Sequence, residues 1–395
     1  MTPSTKGSAL TAAEADRLVA EALDLPGANE VLNSTQLSVL LGRSVIIEHL
    51  RVKPKHSIVV AHTDQHGEYG WTMLTSDPDK FGKARQRAVD SGQQFRIHRH
   101  ESNGFLCSGS LWSDPELAKG LADARSALDE REGRTVEWKI LRYNPRRRVV
   151  AMVDAGRHPK IARVVAGEVS TLLSTFSRWR EWNVPVTHAV PLGSRGSATL
   201  APLWGAGDLL HIPYEPAAES AGRALGRLHA TPHTRTPRQA VCADPLRTAA
   251  ALDVVAPWAA ERARDLGNRC VQEFSRSQGF EATHIHGDFS PDQVILAAED
   301  SHKIRVIDLE RAGFGHPMQD IGSWLATCRQ AERTELIAPF LAGYEACLRI
   351  HPGAANAWEA YCHLARAADF FRHRHPEWPA QTIRTLDLAE EALTQ

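Results

Sequence analysis

The spacing of apolar positions changes character along the chain. Near the start, "TAAEADRLVAEAL" sets Leu18, Val19, Ala22 and Leu23 on one helical stripe, and Thr11 with Glu14 forms a capping-box pattern ahead of it. A short opening helix is expected. The next stretch, "SVIIEHLRVKPKHSIVVAHTD", carries two branched apolar runs around a Pro-Lys-His turn, which is the pattern of a hairpin. A second hairpin echoes it: "LRYNPRRRVVA" (Leu141 to Ala151) repeats the Leu-Arg, the proline, the basic turn and the closing apolar run of "LRVKPKHSIVV" (Leu50 to Val60). Duplication and β-propensity alone account for the echo about equally. Between the two lies "SDPELAKGLADARSALDEREG", a helix started by Asp114-Pro115 and stopped by Gly133.

From Thr135 the pattern runs strand, turn, strand, then a third strand in "KIARVV" and a helix through "EVSTLLSTFSRWREW". A further strand pair, "THAVPLGSRGSATLAPLW", leads into the turn "GAGD". Beyond it the periodicity is mostly helical, interrupted by one β-rich island. Sheet first and helices afterwards, with polar residues concentrated in the island, predicts two lobes with a cleft between them.

Composition narrows the partners. The 395 residues exceed what one core usually holds, so two or three packed units are expected. With 46 basic against 47 acidic residues, no overall field draws the chain to nucleic acid or a membrane. The six cysteines are scattered, without a CxxC pair or a zinc spacing, and read as thiols in a reducing compartment. The opening "MTPSTKGSALTAAEADRLVAEAL" lacks the basic-then-apolar order of a signal peptide, so a soluble cytoplasmic protein is expected.

The β-rich island holds the candidate chemistry. In "HIHGDFSPDQVILA", His286, Asp288 and Gln293 precede an apolar run, and Asp308 ends the apolar strand of "KIRVIDLERAGFGHPMQD". Phosphoryl transfer needs such a set: one carboxylate to position and deprotonate a hydroxyl, and an oxygen ligand with a second carboxylate to hold magnesium against phosphates. Asp288 fits the first role, and Gln293 with Asp308 the second.

These two motifs resemble the aminoglycoside phosphotransferase and choline kinase group, whose catalytic loop reads H-x-D with Asn five residues beyond the Asp and whose metal-binding Asp follows about one hairpin later. Here His286 and Asp288 stand in the catalytic motif, and Gln293 replaces the usual Asn. A glutamine amide still offers a neutral oxygen to a hard cation, one methylene further out. Bacterial maltokinases look similar in carrying Gln there, but the "HLGQ" wording expected of them is missing.

The resemblance implies an α+β, protein-kinase-like two-lobed fold with a small β-rich N-lobe, a larger helical C-lobe and an additional N-terminal β-rich domain. The corresponding units are a cap-like domain over 1–134, the N-lobe over 135–204 and the C-lobe over 205–395. It further implies ATP and Mg²⁺ as cofactors, a small-molecule hydroxyl acceptor, and no nucleic-acid or membrane partner.

By the same alignment Arg163 stands where the group places its phosphate-contacting Lys, with Lys160 as its rival and Glu168 as the acid to pair with it. Asp320 takes the place of an acid that supports the catalytic loop. No glycine-rich loop precedes the strand, so the "NPRRR" turn, Arg146 to Arg148, is the candidate cap for the phosphates. Ala201 to Leu203 would read adenine through backbone groups. Acceptor contacts are expected near Asp292, Glu310, Arg311 and the segment 369–378.

Plainer readings accompany each of these. Asp288 and Asp308 taken singly are turn-capping acids, yet two such motifs in order beside apolar strands favour the enzyme. Arg163 is nearly as well read as a surface strand residue, and the three arginines of the turn as a solvated tip. The pairs His98 and His100, and His373 and His375, read as surface histidines rather than a metal site. The expected function is ATP- and Mg-dependent phosphorylation of a hydroxyl on a sugar, aminosugar, aminocyclitol or aminoglycoside. Gln293, the missing glycine loop and the arginine at the lysine position keep a rival open: an inactive kinase-like module that binds nucleotide or a partner.

Overall fold

In the computed structural model, residues 10–90, 92, 95–98, 104–154, 158–232, 243–276 and 281–395 are described. The opening helix spans Ala12–Leu23, with the expected capping box: Glu14 N–H donates to the Thr11 hydroxyl at 3.3 Å, and the Glu14 carboxylate accepts from Thr11 N–H at 2.9 Å. Two short helices follow, and then the first sheet.

That sheet comprises β1 (Val45–Lys53), β2 (Ser57–Asp64), β3 (Tyr69–Thr75), β4 (Phe95–His98) and β5 (Phe105–Ser110), in the order β1-β2-β3-β5-β4. A second sheet comprises β6 (Trp138–Asn144), β7 (Arg148–Val153), β8 (Lys160–Val165), β9 (Val190–Pro191) and β10 (Ala198–Pro202), in the order β6-β7-β8-β10-β9. The two orders are the same. Each sheet also inserts a helix after its third strand, Pro78–Asp90 in the first and Ser170–Glu181 in the second.

The echo seen in the sequence extends to the turns. Lys55 and Arg146 occupy the same place after the proline, and both adopt positive φ, at 60° and 61°. A proline at the first turn position followed directly by a left-handed residue gives a tight loop that fixes register, here Lys53 opposite Ser57 and Asn144 opposite Arg148.

Alternation along the first sheet sends its apolar residues to two different cores. Val59, Ala61, Trp71, Met73 and Cys107 join the helix Ala118–Glu132 and the second sheet, through Leu121, Leu128, Val149, Ala162 and Val164. Ile58, Val60, Leu74 and Leu106 face the other way. They pack with the N-terminal helices and with Leu252, Leu266, Leu364, Phe371 and Trp378 of the C-terminal half. A strand buried on both faces loses the apolar-polar alternation of a one-sided sheet, which accounts for the continuous run "IVVA". The sequence division at residue 134 therefore falls between elements, but the apolar core runs across it.

The C-terminal half is helical around a third core that holds Phe289, Trp324 and Phe340. Its β-rich island comprises β11 (Gly207–Asp208), β12 (Thr283–Ile285), β13 (Val294–Leu296), β14 (Ile304–Val306) and β15 (Gly313–Gly315), paired as β11-β13-β14 and β12-β15. Among the described residues no helix is long and apolar enough to cross a membrane.

Candidate active site

The loop after β12 is held from beneath by one buried acid. Asp320, with no solvent exposure, accepts the backbone N–H groups of His286 and Gly287, each at 2.7 Å. His229, at the end of the helix Glu215–Ala230, reaches the same carboxylate at 3.2 Å, and its other ring nitrogen lies 2.9 Å from the Tyr344 hydroxyl. Sequence analysis placed Asp320 but missed His229, whose only local signal was a polar residue ending an apolar helix.

Two further anchors fix the loop. Phe289 inserts beside Trp324 and Phe340, whose rings stack at 4.1 Å. The His286 ring is buried and donates through Nε2 to the Ile307 carbonyl at 2.9 Å. His286 thus ties the loop after β12 to the segment that precedes Asp308.

Gly287 turns the chain at φ 82°, and a Cβ there would lie 2.4 Å from the Arg311 carbonyl oxygen. Only glycine fits. That close approach brings the turn 308–311 against the loop, and the Arg311 guanidinium reaches Asp288 Oδ2 at 3.0 Å. The two acidic motifs are brought together here.

Asp288 Oδ1 meets a second guanidinium, that of Arg366, at 3.2 Å. Arg366 lies in the helix Pro352–Arg366 and is held by the Ser323 carbonyl at 3.1 Å, the Ser323 hydroxyl at 2.8 Å and the Thr327 hydroxyl at 2.6 Å. Sequence analysis missed it, because a lone arginine at a helix end carries no motif.

Asp308 adopts φ 59°, a left-handed conformation uncommon outside glycine that turns its carboxylate toward the second sheet. Arg163 on β8 contacts Asp308 Oδ1 at 3.0 Å, and Arg148 at the start of β7 contacts it at 3.5 Å. Both arginines also pair with Glu310. Burial pushes the Asp308 carboxyl up, but the two guanidinium groups outweigh it and hold the group below the ordinary aspartate value. Burial likewise lowers Arg148, against the pull of Asp308 and Glu310.

Several expectations are corrected by these contacts. Glu168 lies ahead of the helix Ser170–Glu181, is exposed, and does not pair with Arg163, which turns instead to Asp308 and Glu310. Lys160 points away to Glu132 at 2.7 Å, so Arg163 is the strand cation at the cleft. Arg146 is not a free phosphate cap: it pairs with Glu116 at 2.7 Å, and its N–H donates to Asp114 at 2.7 Å. Arg148 alone of the turn reaches the site.

Leu203 spends its N–H on the Pro159 carbonyl at 3.0 Å, and Pro202 has none, so the donors expected of that hinge are lacking there, while Ala201 stands opposite Ile161 in the sheet. Asp292 accepts from Ser290 at 2.6 Å and from the Gln293 amide at 2.9 Å, and so shapes its own turn rather than facing an acceptor. Glu310 belongs to the arginine side of the cleft, whereas Arg311 lies against Asp288. His98 bonds Ser108 at 2.8 Å, His373 packs against His49 at 5.0 Å, and His100 lies outside the described residues.

The donors fit a nucleotide and its cation in kind. The Nε atoms of Arg148 and Arg163 are buried without a hydrogen-bond partner, and a guanidinium group is in kind a ligand for phosphate oxygens. Asp308 and the Gln293 amide oxygen are hard ligands. Among the described residues no group of three His, Cys, Asp or Glu side chains could hold a metal ion. A pair of oxygen ligands suits magnesium, which keeps several waters and takes its remaining ligands from phosphates.

Comparison with known proteins agrees with this architecture. No curated protein matches the chain in sequence. Among solved structures, a microcompartment-associated aminopropanol kinase superposes with TM-score 0.52 at 18% identity, over 66% of this chain and 93% of that one. A choline/ethanolamine kinase family protein from Mesorhizobium loti gives TM-score 0.51 at 12% identity, over 70% and 95%. A thermostable mutant of the aminoglycoside phosphotransferase APH(4)-Ia gives 0.49 at 16%, over 68% and 98%. The first two likenesses make the fold kinase-like. Residues 200–383 match the model of the phosphotransferase enzyme family.

Proposed function

We propose that the chain transfers the terminal phosphoryl group of ATP to a hydroxyl on a small polar molecule. The observation that carries this reading is the approach of Asp288 to the turn that begins at Asp308, through Gly287 and Arg311. Asp288 would orient the acceptor hydroxyl and take its proton as the oxygen bonds to phosphorus and the bond to the departing diphosphate breaks. Arg163 and Arg148 would exchange their carboxylate partners for phosphate oxygens. Asp308 and Gln293 would hold magnesium, which when bound neutralises charge on the phosphates. Sugars, aminosugars and aminocyclitols are the acceptor classes the family resemblance suggests.

The test is consumption of Mg-ATP by the full chain over a panel of polyhydroxy acceptors. Acceptor-dependent formation of ADP is the expected result, and its absence from every acceptor counts against the reading. The non-catalytic alternative has its own support, since Arg163 and Arg148 already neutralise Asp308. Thermal stabilisation by Mg-ATP, lost in Asp308→Ala, with no turnover on any acceptor would favour it.

A further inference from the structure

The acceptor side of the cleft is defined by where its charges are already committed. Asp288 has one oxygen on Arg311 and the other on Arg366, at 3.0 and 3.2 Å. Asp308 and Glu310 are paired with Arg148 and Arg163. Asp292 is closed off by Ser290 and Gln293, and Asp369 pairs with Arg372 at 2.7 Å. Glu359, beneath Arg366 on the same helix, has no solvent exposure and meets Arg329 at 2.5 Å. Each of these carboxylates already has a partner. The nucleotide would release Glu310 by drawing Arg148 and Arg163 away, but an acceptor bearing ammonium groups would still meet two guanidinium groups beside the proton acceptor.

The two arginines differ in what holds them. Arg366 has three contacts besides Asp288, from Ser323 and Thr327, and so is fixed. The Arg311 side chain is 69% exposed and its charge partner is Asp288. Each Asp288 oxygen keeps a lone pair for a hydroxyl, but once Asp288 takes the acceptor's proton it is neutral and no longer balances both guanidinium groups, and the exposed arginine is the one free to swing. Its charge then needs a new partner beside the acceptor hydroxyl. A carboxylate or phosphate on the acceptor supplies one, and forks with a guanidinium in the paired geometry that makes such contacts strong.

We propose that the acceptor carries an anionic group close to its reactive hydroxyl, and that Arg311 reads that group as it leaves Asp288. The substrate class is thus hydroxy acids, sugar acids or their phosphorylated counterparts, rather than amines. This inference rests on the phosphotransferase reading above. It narrows that reading to one charge type.

Its test uses acceptors that share a scaffold and differ in charge: gluconate, glucose and glucosamine as one set, and glycerate, glycerol and 3-amino-1,2-propanediol as another, each with Mg-ATP and the full chain. The anionic member of at least one set should exceed its neutral and cationic partners tenfold or more in kcat/KM. Arg311→Glu should abolish that preference, and Arg311→Lys should keep part of it, with melting temperature as the check on folding. Equal or better use of the neutral or amino member overturns the inference while leaving the kinase reading intact. A preference for the anion that survives in Arg311→Glu removes Arg311 from the role and overturns it as well. Stabilisation by Mg-ATP without turnover, and with no greater protection by gluconate or glycerate than by the neutral compounds, also counts against it. Failure to bind Mg-ATP at all sinks the underlying phosphotransferase reading instead.

Discussion

At Asp288 a single carboxylate is asked to serve two arginines and a hydroxyl. Replacing it with Asn keeps the shape but removes the proton acceptor, so Asp288→Asn is expected to lower turnover by about 10²–10⁴-fold while Mg-ATP affinity stays close to normal. Steady-state rates alongside nucleotide titration read the two effects separately, and near-normal turnover removes Asp288 from its role. The same scale shows why part of the site was legible in the sequence. Asp288, Gln293, Asp308 and Asp320 occupy short spacings that chemistry and loop geometry impose locally. Arg163 with Glu310, Arg366 with Asp288, and His229 with Asp320 are meetings between residues far apart in the chain. Nothing in local spacing announces them, and the family alignment points to Glu168 where the structure pairs Arg163 with Glu310.

Among the elements, the segment from β12 to the turn 308–311 is the most constrained. Its geometry depends on the left-handed Gly287 and on the carboxylate of Asp320 beneath it. Gly287→Ala adds strain at φ 82° and a contact with the Arg311 carbonyl, so a loss of roughly 1–3 kcal/mol of stability is expected, with turnover reduced further because Asp288 and Arg311 are pushed apart. Chemical denaturation together with activity measures both; unchanged stability would mean that the loop relaxes at no cost. Element identities were largely readable. The capping box, both hairpins and the third strand of the second sheet follow from period and turn residues. The shared strand order of the two sheets was not, because order is decided by which faces find apolar partners.

Taken as one body, the described residues form three large cores and one small cluster, and the first sheet contributes to two of the large ones. His49 on β1 and His373 after the helix Asp369–Arg372 meet where that sheet packs on the C-terminal half, with their rings 5.0 Å apart. Burial, together with His373, Arg142, Arg372 and Arg51, holds His49 down to about 3, against an ordinary value of 6.5. The folded form therefore binds fewer protons than the unfolded one. Stability from this site is full above 6.5 and declines as pH falls from there toward 3. The melting temperature should drop between pH 7.5 and pH 5, and His49→Phe should flatten that slope; an equal slope in the variant would exclude His49 as its source. The contact has a mechanical meaning too. The first sheet is packed on both sides and bridges the second sheet and the C-terminal half like a splint. Separating the two halves would expose apolar surface that this sheet buries against each of them.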